Sequence, residues 1–548
     1  MSNRAEAGLK RAVSRAWWVP GSVFVWVLSV SLILTGYHRP ASDASHYHVL
    51  TRAIVLNHTL DCTGAGIQIE EANLLVGKDG SRYTKYAPGQ SLVQVPAHFL
   101  GNLIAPYARQ TINAELAEIL SLRTTPALLT AAATTVLFLV LRSYFGVSTL
   151  LSLMLALLYF LGTQAFSYAK SNFSEALQAF CIISCAAVLL KPDKRWSLVI
   201  ASFMFGLLVL TKPALLVCGP AYAYLIYQKK LYKPTEKHTW VIAAIVAGAM
   251  ASFLLYYNYI RTGSVFDLGY GDDEFSTGDN LFFFKNIWNL LFLPSKSILM
   301  YNLILIFALP GYVLLRDRSY RIFFAILVGC LLLLYGPHRA AWSGSYGQRY
   351  MVPVIILAIP FVGATLERVL EWKRWPRIAS MGFVGLVCFL SIYVSFLGVA
   401  YFRYAGMHFC QVHDALAEQY GFEECESSYA NNKIAIYHYL FWNDDFDERV
   451  LARERGEEWW KQPRSYEEFP WISEKLLPTA ATRVLRSRAL NRYWVTKDFL
   501  FFSPNFADRS DATKVILYCL YLLTGLSTAG ILAAGWNEIK TAEHSRRG

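Results

Sequence analysis

The stretch "YHRPASDASHYHVLTRA" places one carboxylate, Asp43, a few residues beyond the first apolar run of the chain. A carboxylate so placed can take or orient the proton of an attacking hydroxyl, help worth roughly 10²–10⁴ in rate. It can equally cap the short helix that follows, whose Val49, Leu50, Ala53, Ile54 and Leu56 make an amphipathic pattern suited to the membrane interface. The two roles are compatible, because a cap also fixes where the side chain points. Cations recur further on. Lys85 lies in "SRYTKYAPGQSL", Lys296 in "LFLPSKSILMYN" and Arg349 in "YGPHRAAWSGSYGQRYMVP". A guanidinium fork matches phosphate geometry, and a lysine supplies a point charge. At the mouth of a membrane span, Arg349 and Lys296 can also be snorkelling cations.

Around these lie Tyr47, Tyr86, Trp342 and Tyr346, aromatic rings able to stack on a sugar face, and Glu175 in "GTQAFSYAKSNFSE". Interfacial tyrosine and tryptophan also have a purely membrane-anchoring use. One acid and several cations over a lipid surface suit group transfer from a lipid-phosphate donor, with cations for the phosphate and the acid for the proton. The acidic run Asp272/Asp273/Glu274/Asp279 matches no metal-loop spacing and reads as a solvated loop. No cofactor is expected; a divalent metal could replace the cations, without a motif to hold it. No CxxC or Cys/His spacing suggests zinc, and Cys410 and Cys425 leave a disulfide or two free thiols open.

The elements that must position these residues are membrane helices. The 548 residues are 55% hydrophobic and 16% charged, against about 25% charge in a soluble domain. Backbone inside lipid must be satisfied within each span, so helices are required. The net charge of +12 falls largely in short clusters between apolar runs, such as Lys229/Lys230/Lys233/Lys237 and Arg368/Lys373/Arg374/Arg377. That is the positive-inside pattern rather than a nucleic-acid surface. Spans are expected near 17–34, 124–141, 147–163, 174–190, 197–211, 213–228, 239–259, 298–315, 322–337, 351–366, 378–401 and 514–535. With these twelve, both termini and every basic cluster lie in the cytoplasm. Lys212, in "LVLTKPALL", is read as the outer turn of a hairpin or part of a re-entrant segment. The fold class is therefore all-α and polytopic, with interfacial helices in a first outer loop (about 38–123). The domains are a catalytic membrane domain (1–401), a small α-rich outer domain (402–513), and a last span with its tail (514–548).

In order and kind, "YTKYAPGQSLVQVPAHFLG", "GTQAFSYAKSNFSEAL", "LVLTKPALL", "NYIRTGSVFDLGY", "LFLPSKSILMYN" and "WSGSYGQRYMVP", with Asp43 and Tyr47 before them, resemble the GT-C class of membrane glycosyltransferases. The branch is that of bacterial protein mannosyltransferases and lipid A aminoarabinose transferases. The resemblance covers roughly the first 400 residues. It implies an outward-facing cavity, a polyprenyl-phosphate sugar donor entering from lipid, and a lipid, glycan or protein acceptor. It maps the first-loop acid onto Asp43. Many mannosyltransferase relatives have a second acid beside it; here Ala44 follows, which leaves Glu175, Asp61 or Asp267 for that part. It also implies a bacterial inner membrane with the site facing the periplasm. The rival class is a transporter or flippase of a lipid-linked sugar, which predicts charges within spans and often an internal repeat.

Overall fold

The computed structural model describes residues 18–35, 43–65, 74–108, 114–192, 196–232, 237–269, 280–292, 297–337, 348–401 and 511–547. Lys296, Trp342, Tyr346, the run at 272–279, Cys410, Cys425 and residues 402–510 of the expected outer domain lie outside these. In chain order the helices are α1 (Trp18–Ile33), α2 (Asp43–Leu56), α3 (Gly89–Ala108), α4 (Ala114–Ser143), α5 (Thr149–Leu161), α6 (Ala165–Ala169), α7 (Glu175–Leu190), α8 (Ser197–Thr211) and α9 (Gly219–Gln228). They continue with α10 (Lys237–Thr262), α11 (Asn280–Phe292), α12 (Ile298–Tyr301), α13 (Ala308–Leu314), α14 (Arg318–Tyr335), α15 (Val352–Leu370), α16 (Arg374–Tyr401) and α17 (Asp511–Arg547). One antiparallel hairpin, β1 (Leu75–Val76) with β2 (Arg82–Tyr83), joins α2 to α3.

Among the described residues, six helices are long and apolar enough to cross a membrane: 122–143, 238–262, 318–335, 349–370, 374–396 and 515–538. The other six expected spans are shorter or broken helices. α1, α5, α7 and α8 are continuous but shorter. The segment 213–228 opens with a 3-10 turn (Pro213–Cys218), and 298–315 is split into α12, a 3-10 turn (Leu303–Phe307) and α13. Such breaks survive in an apolar setting only where protein satisfies the freed backbone. Here it does. The Asn302 side chain accepts from Gln164 N at 2.8 Å and donates to the Ile298 carbonyl at 2.7 Å, and Ile304 N donates to Ser391 Oγ at 3.2 Å.

The most enclosed long helix is α15. Its apolar window is 89% buried, against 11% for α17, so α15 forms the middle of the bundle and α17 faces outward. Ile356, Leu357, Ile359, Phe361 and Val362 of α15 share the main core with Leu177, Ile182 and Ile183 of α7. The first and last of these helices, α1 and α17, pack along each other, and Trp26 Nε1 donates to Thr528 Oγ1 at 3.0 Å. Glu538 of α17 accepts from Thr149 N at 2.8 Å and from Leu150 N, capping α5.

Both first-loop helices form as expected, and α3 is longer than its prolines suggest. It runs unbroken for 20 residues through Pro96. Contact along α4 and α2 offsets the missing hydrogen bond, a cost of about 3 kcal/mol in an isolated helix. Its Phe99, Leu100 and Leu103 remain exposed as one apolar side. Gly89 opens the helix because a Cβ there would lie 2.5 Å from Thr211 N. The start of α3 is thereby pressed against the end of α8, beside Lys212.

Candidate functional site

Asp43 is the first residue of α2, where the helix N-terminus favours a carboxylate. Its Oδ2 meets Arg349 Nη1 at 2.8 Å, and its Oδ1 accepts from the Tyr86 hydroxyl at 2.7 Å. Three distant pieces of sequence thus converge on one carboxylate: the α2 N-terminus, the turn before α3, and the 3-10 turn (Arg349–Met351) leading into α15. Burial and the Asp43 carboxylate hold the Tyr86 phenol well above its ordinary titration range, so it stays a proton donor. His46, one turn of α2 away, packs edge-on to Tyr86 at 5.1 Å. Its imidazole is pushed down to about 4, first by burial and then by the Lys85 ammonium, with Asp43 acting in the opposite sense.

Arg349 is bound on several sides. Its Nη2 donates to the Tyr350 hydroxyl at 3.2 Å, and its guanidinium lies 5.0 Å from the Tyr350 ring and 5.5 Å from that of Phe173. Its Nε has no hydrogen-bond partner among the described residues. The other face of this cluster holds Lys212, whose ammonium lies 4.0 Å from the Tyr350 ring centre and 5.1 Å from that of Tyr335. Those two rings are stacked at 4.8 Å. Aromatic faces stabilise a desolvated cation by about 2 kcal/mol, which accounts for a lysine at a break between apolar helices. Lys212 is therefore turned inward among aromatic rings.

Glu175, the first residue of α7, is buried and in the electrostatic field of Arg349, Lys212 and Asp43. Of the acids considered as a second carboxylate, it is the one in this cluster. Asp61 is engaged in a turn, accepting from Thr63 N at 2.8 Å and Arg82 N at 3.0 Å, and those bonds hold its carboxyl below its usual range although burial works against them. Asp267 accepts from Gly269 N at 2.8 Å. Tyr47, one turn after Asp43, donates to Ser174 Oγ at 3.4 Å and packs on Tyr86 at 5.6 Å. Lys85 lies over the Tyr86 ring at 5.2 Å.

The segment 84–86 is held from behind by Arg261 at the end of α10. This fully buried side chain donates to the Lys85 carbonyl, to Leu268 O at 2.6 Å and to Asn258 Oδ1 at 2.9 Å. Of the residues expected from sequence, the structure brings together Asp43, Tyr47, Lys85, Tyr86, Glu175 and Arg349; Lys296, Trp342 and Tyr346 lie outside its described part. Lys212, Tyr350 and Arg261 were missed as site residues. A lysine inside an apolar run and an arginine closing one were the available signals. Among the described residues no three His, Cys, Asp or Glu side chains are grouped to hold a metal ion.

No protein-family model matches the chain, and no curated protein matches it either. Solved structures resemble it at low identity. ArnT from Cupriavidus metallidurans bound to undecaprenyl phosphate matches with a TM-score of 0.46 and 15% identity, over 77% of this chain and 76% of that one. The same protein in the apo state matches over 88% and 78%, at the same score and identity. The archaeal oligosaccharyltransferase AglB from Archaeoglobus fulgidus, in complex with an inhibitory peptide and a dolichol-phosphate, gives 0.46 and 13%, over 87% and 65%. At this distance the functional reading rests on the chain's own residues.

Proposed function

We propose that the chain is a membrane glycosyltransferase that moves a sugar from a polyprenyl-phosphate carrier to a hydroxyl acceptor. The observation that carries this reading is the Asp43 carboxylate held between Arg349 (2.8 Å) and Tyr86 (2.7 Å) in a cluster that also contains Lys212 and Glu175. An acid fixed on two oxygens, with a second cation nearby, suits a reaction that both removes a proton and develops negative charge on a phosphate. The sequence resemblance to GT-C enzymes supports the same chemistry.

The acceptor oxygen attacks the anomeric carbon and its proton passes to Asp43. The bond from that carbon to the phosphate oxygen breaks on the opposite face, so a single displacement inverts the centre. The departing polyprenyl phosphate is stabilised by Arg349, Lys212 and Lys85, with Lys296 as a further candidate. Arg349 keeps Nε for a phosphate oxygen while Nη1 holds Asp43. Tyr47, Tyr86, Trp342 and Tyr346 are the candidate sugar-stacking rings. The site faces the periplasm of a bacterial inner membrane, and the acceptor is a lipid, glycan or protein. Purified protein in detergent, given a radiolabelled polyprenyl-phosphate hexose and a cell-envelope extract as acceptor, tests the reading. Sugar transfer with release of free carrier is expected. Carrier translocation in liposomes without any transfer would instead establish a flippase.

A further inference from the structure

A buried polar seam runs from the start of α3 to the α6–α7 turn, next to the Asp43–Arg349 pair. Gln90, Asn172 and Glu175 are 0%, 1% and 4% exposed. Both amide atoms of Gln90, Nδ2 of Asn172 and Oε2 of Glu175 have no hydrogen-bond partner among the described residues. They belong to one neighbourhood. Gln94, one turn after Gln90, donates to Asn172 Oδ1 and accepts from Thr51 Oγ1 at 3.1 Å. Glu175 follows Asn172 by three residues, and Ser174 between them accepts from Tyr47.

The large majority of buried side-chain polar atoms in proteins are paired, and each one left unpaired costs about 1–3 kcal/mol. Four such atoms gathered in one seam offer bonds that an occupant can supply. The unmet set comprises amide donors, an amide acceptor and a carboxylate acceptor. Hydroxyl groups, each both donor and acceptor, match all of them. Charge narrows the choice further. Asp43, Glu175 and the single negative charge of the donor's phosphodiester stand against Arg349, Lys212 and Lys85, three charges of each sign. An ammonium or carboxylate on the occupant would unbalance that set in a desolvated place.

We propose that Gln90, Asn172 and Glu175 form a subsite for the sugar ring of the donor, and that this ring is uncharged and polyhydroxylated. The inference rests on the glycosyltransferase reading above. It names the part of the donor that the phosphate cations do not touch.

The test uses the purified full-length protein and measures affinity by native mass spectrometry. The probes are bare undecaprenyl phosphate, its glucosyl, mannosyl, galactosyl and arabinosyl forms, and one amino-sugar and one uronic-acid form. At least one neutral form is expected to bind about 10-fold or more tighter than the bare carrier, the worth of one or two net hydrogen bonds. Gln90→Met and Asn172→Asp should each bring that ratio, measured against bare carrier on the same variant, to within about threefold of one. Asn172→Asp keeps the acceptor for Gln94. Gln90→Met should also melt no lower than wild type in the absence of carrier, since it removes unpaired polar atoms.

A lower melting point for Gln90→Met, or ratios untouched by both substitutions, would show a water-filled seam and overturn the inference. So would a charged sugar that binds tightest, or neutral sugars that add nothing to a carrier that binds. Failure of the bare carrier to bind at all would instead refute the donor assignment itself.

Discussion

Replacing Asp43 by Asn isolates the charge of the site's acid from its shape. The side chain is 13% exposed and its partner Arg349 is 11% exposed, so the pair is largely desolvated. Asp43 accepts from Arg349 on one oxygen and from Tyr86 on the other. Asn can keep Oδ1 on Arg349, and its Nδ2 can donate to the Tyr86 oxygen once the phenol turns. At these two contacts charge-assisted bonds give way to ordinary ones, a stability loss of about 1–3 kcal/mol rather than collapse. Catalysis loses its proton acceptor, roughly 10²–10⁴ in kcat, or about 2.7–5.4 kcal/mol of barrier. Donor KM should stay level or fall, because Arg349 no longer shares its charge with a carboxylate. Initial rates of sugar transfer over a range of carrier concentrations, together with a melting curve, separate these effects. A folded Asp43→Asn protein with kcat within about threefold of wild type would refute the assignment of Asp43 as base. A loss confined to KM would show that Asp43 only positions Arg349.

Tyr86→Phe removes the 2.7 Å bond to Asp43, worth about 1.5–3 kcal/mol with a charged acceptor; kcat should fall by about one to two decades in the same assay. Lys212→Met should raise donor KM about 10-fold or more with a smaller effect on kcat, and Lys212→Arg should restore part of it, since cations act here on the carrier's phosphate; an unmoved KM would reduce Lys212 to a brace between the rings of Tyr335 and Tyr350. His46, pushed down to about 4 in the fold from an ordinary 6.5, binds a proton more readily when unfolded. Its contribution to stability is therefore complete above pH 6.5 and is lost toward pH 4, at up to about 1.4 kcal/mol per pH unit. Melting curves between pH 7 and 4 should fall less steeply for His46→Gln, and parallel curves would show that His46 is not the group responsible.

How much of this was legible follows from what each signal is made of. Apolar runs are local signals, so the apolar helices and the helix that starts at Asp43 could be read from the sequence. Broken helices were harder. The segment 298–315 is apolar but for Asn302, and what divides it is that residue's bond to Gln164, a partner 138 positions away. The continuity of α3 through Pro96 was hidden for the opposite reason. Prolines argue locally for interruption, while packing along α4 and α2 overrides them.

The site divides in the same way. Residue types suited to phosphate and proton chemistry could be picked out one by one, since a cation or acid at a membrane edge is conspicuous. Their pairing could not. Arg349 and Asp43 are separated by most of the described chain, and only the approach of the α15 entry to the start of α2 makes them one group. That pairing alters the chemistry argued for each. An arginine taken alone is a phosphate ligand; taken with Asp43 it is also what holds the acid in place. In the proposed reaction a phosphate oxygen arriving at Nε competes with Asp43 for the same guanidinium charge. On that proposal, donor binding and the freeing of the Asp43 carboxylate for the acceptor's proton are two consequences of one displacement of charge. Asp43 and Arg349 must therefore be desolvated together, as they are, for the displacement to matter.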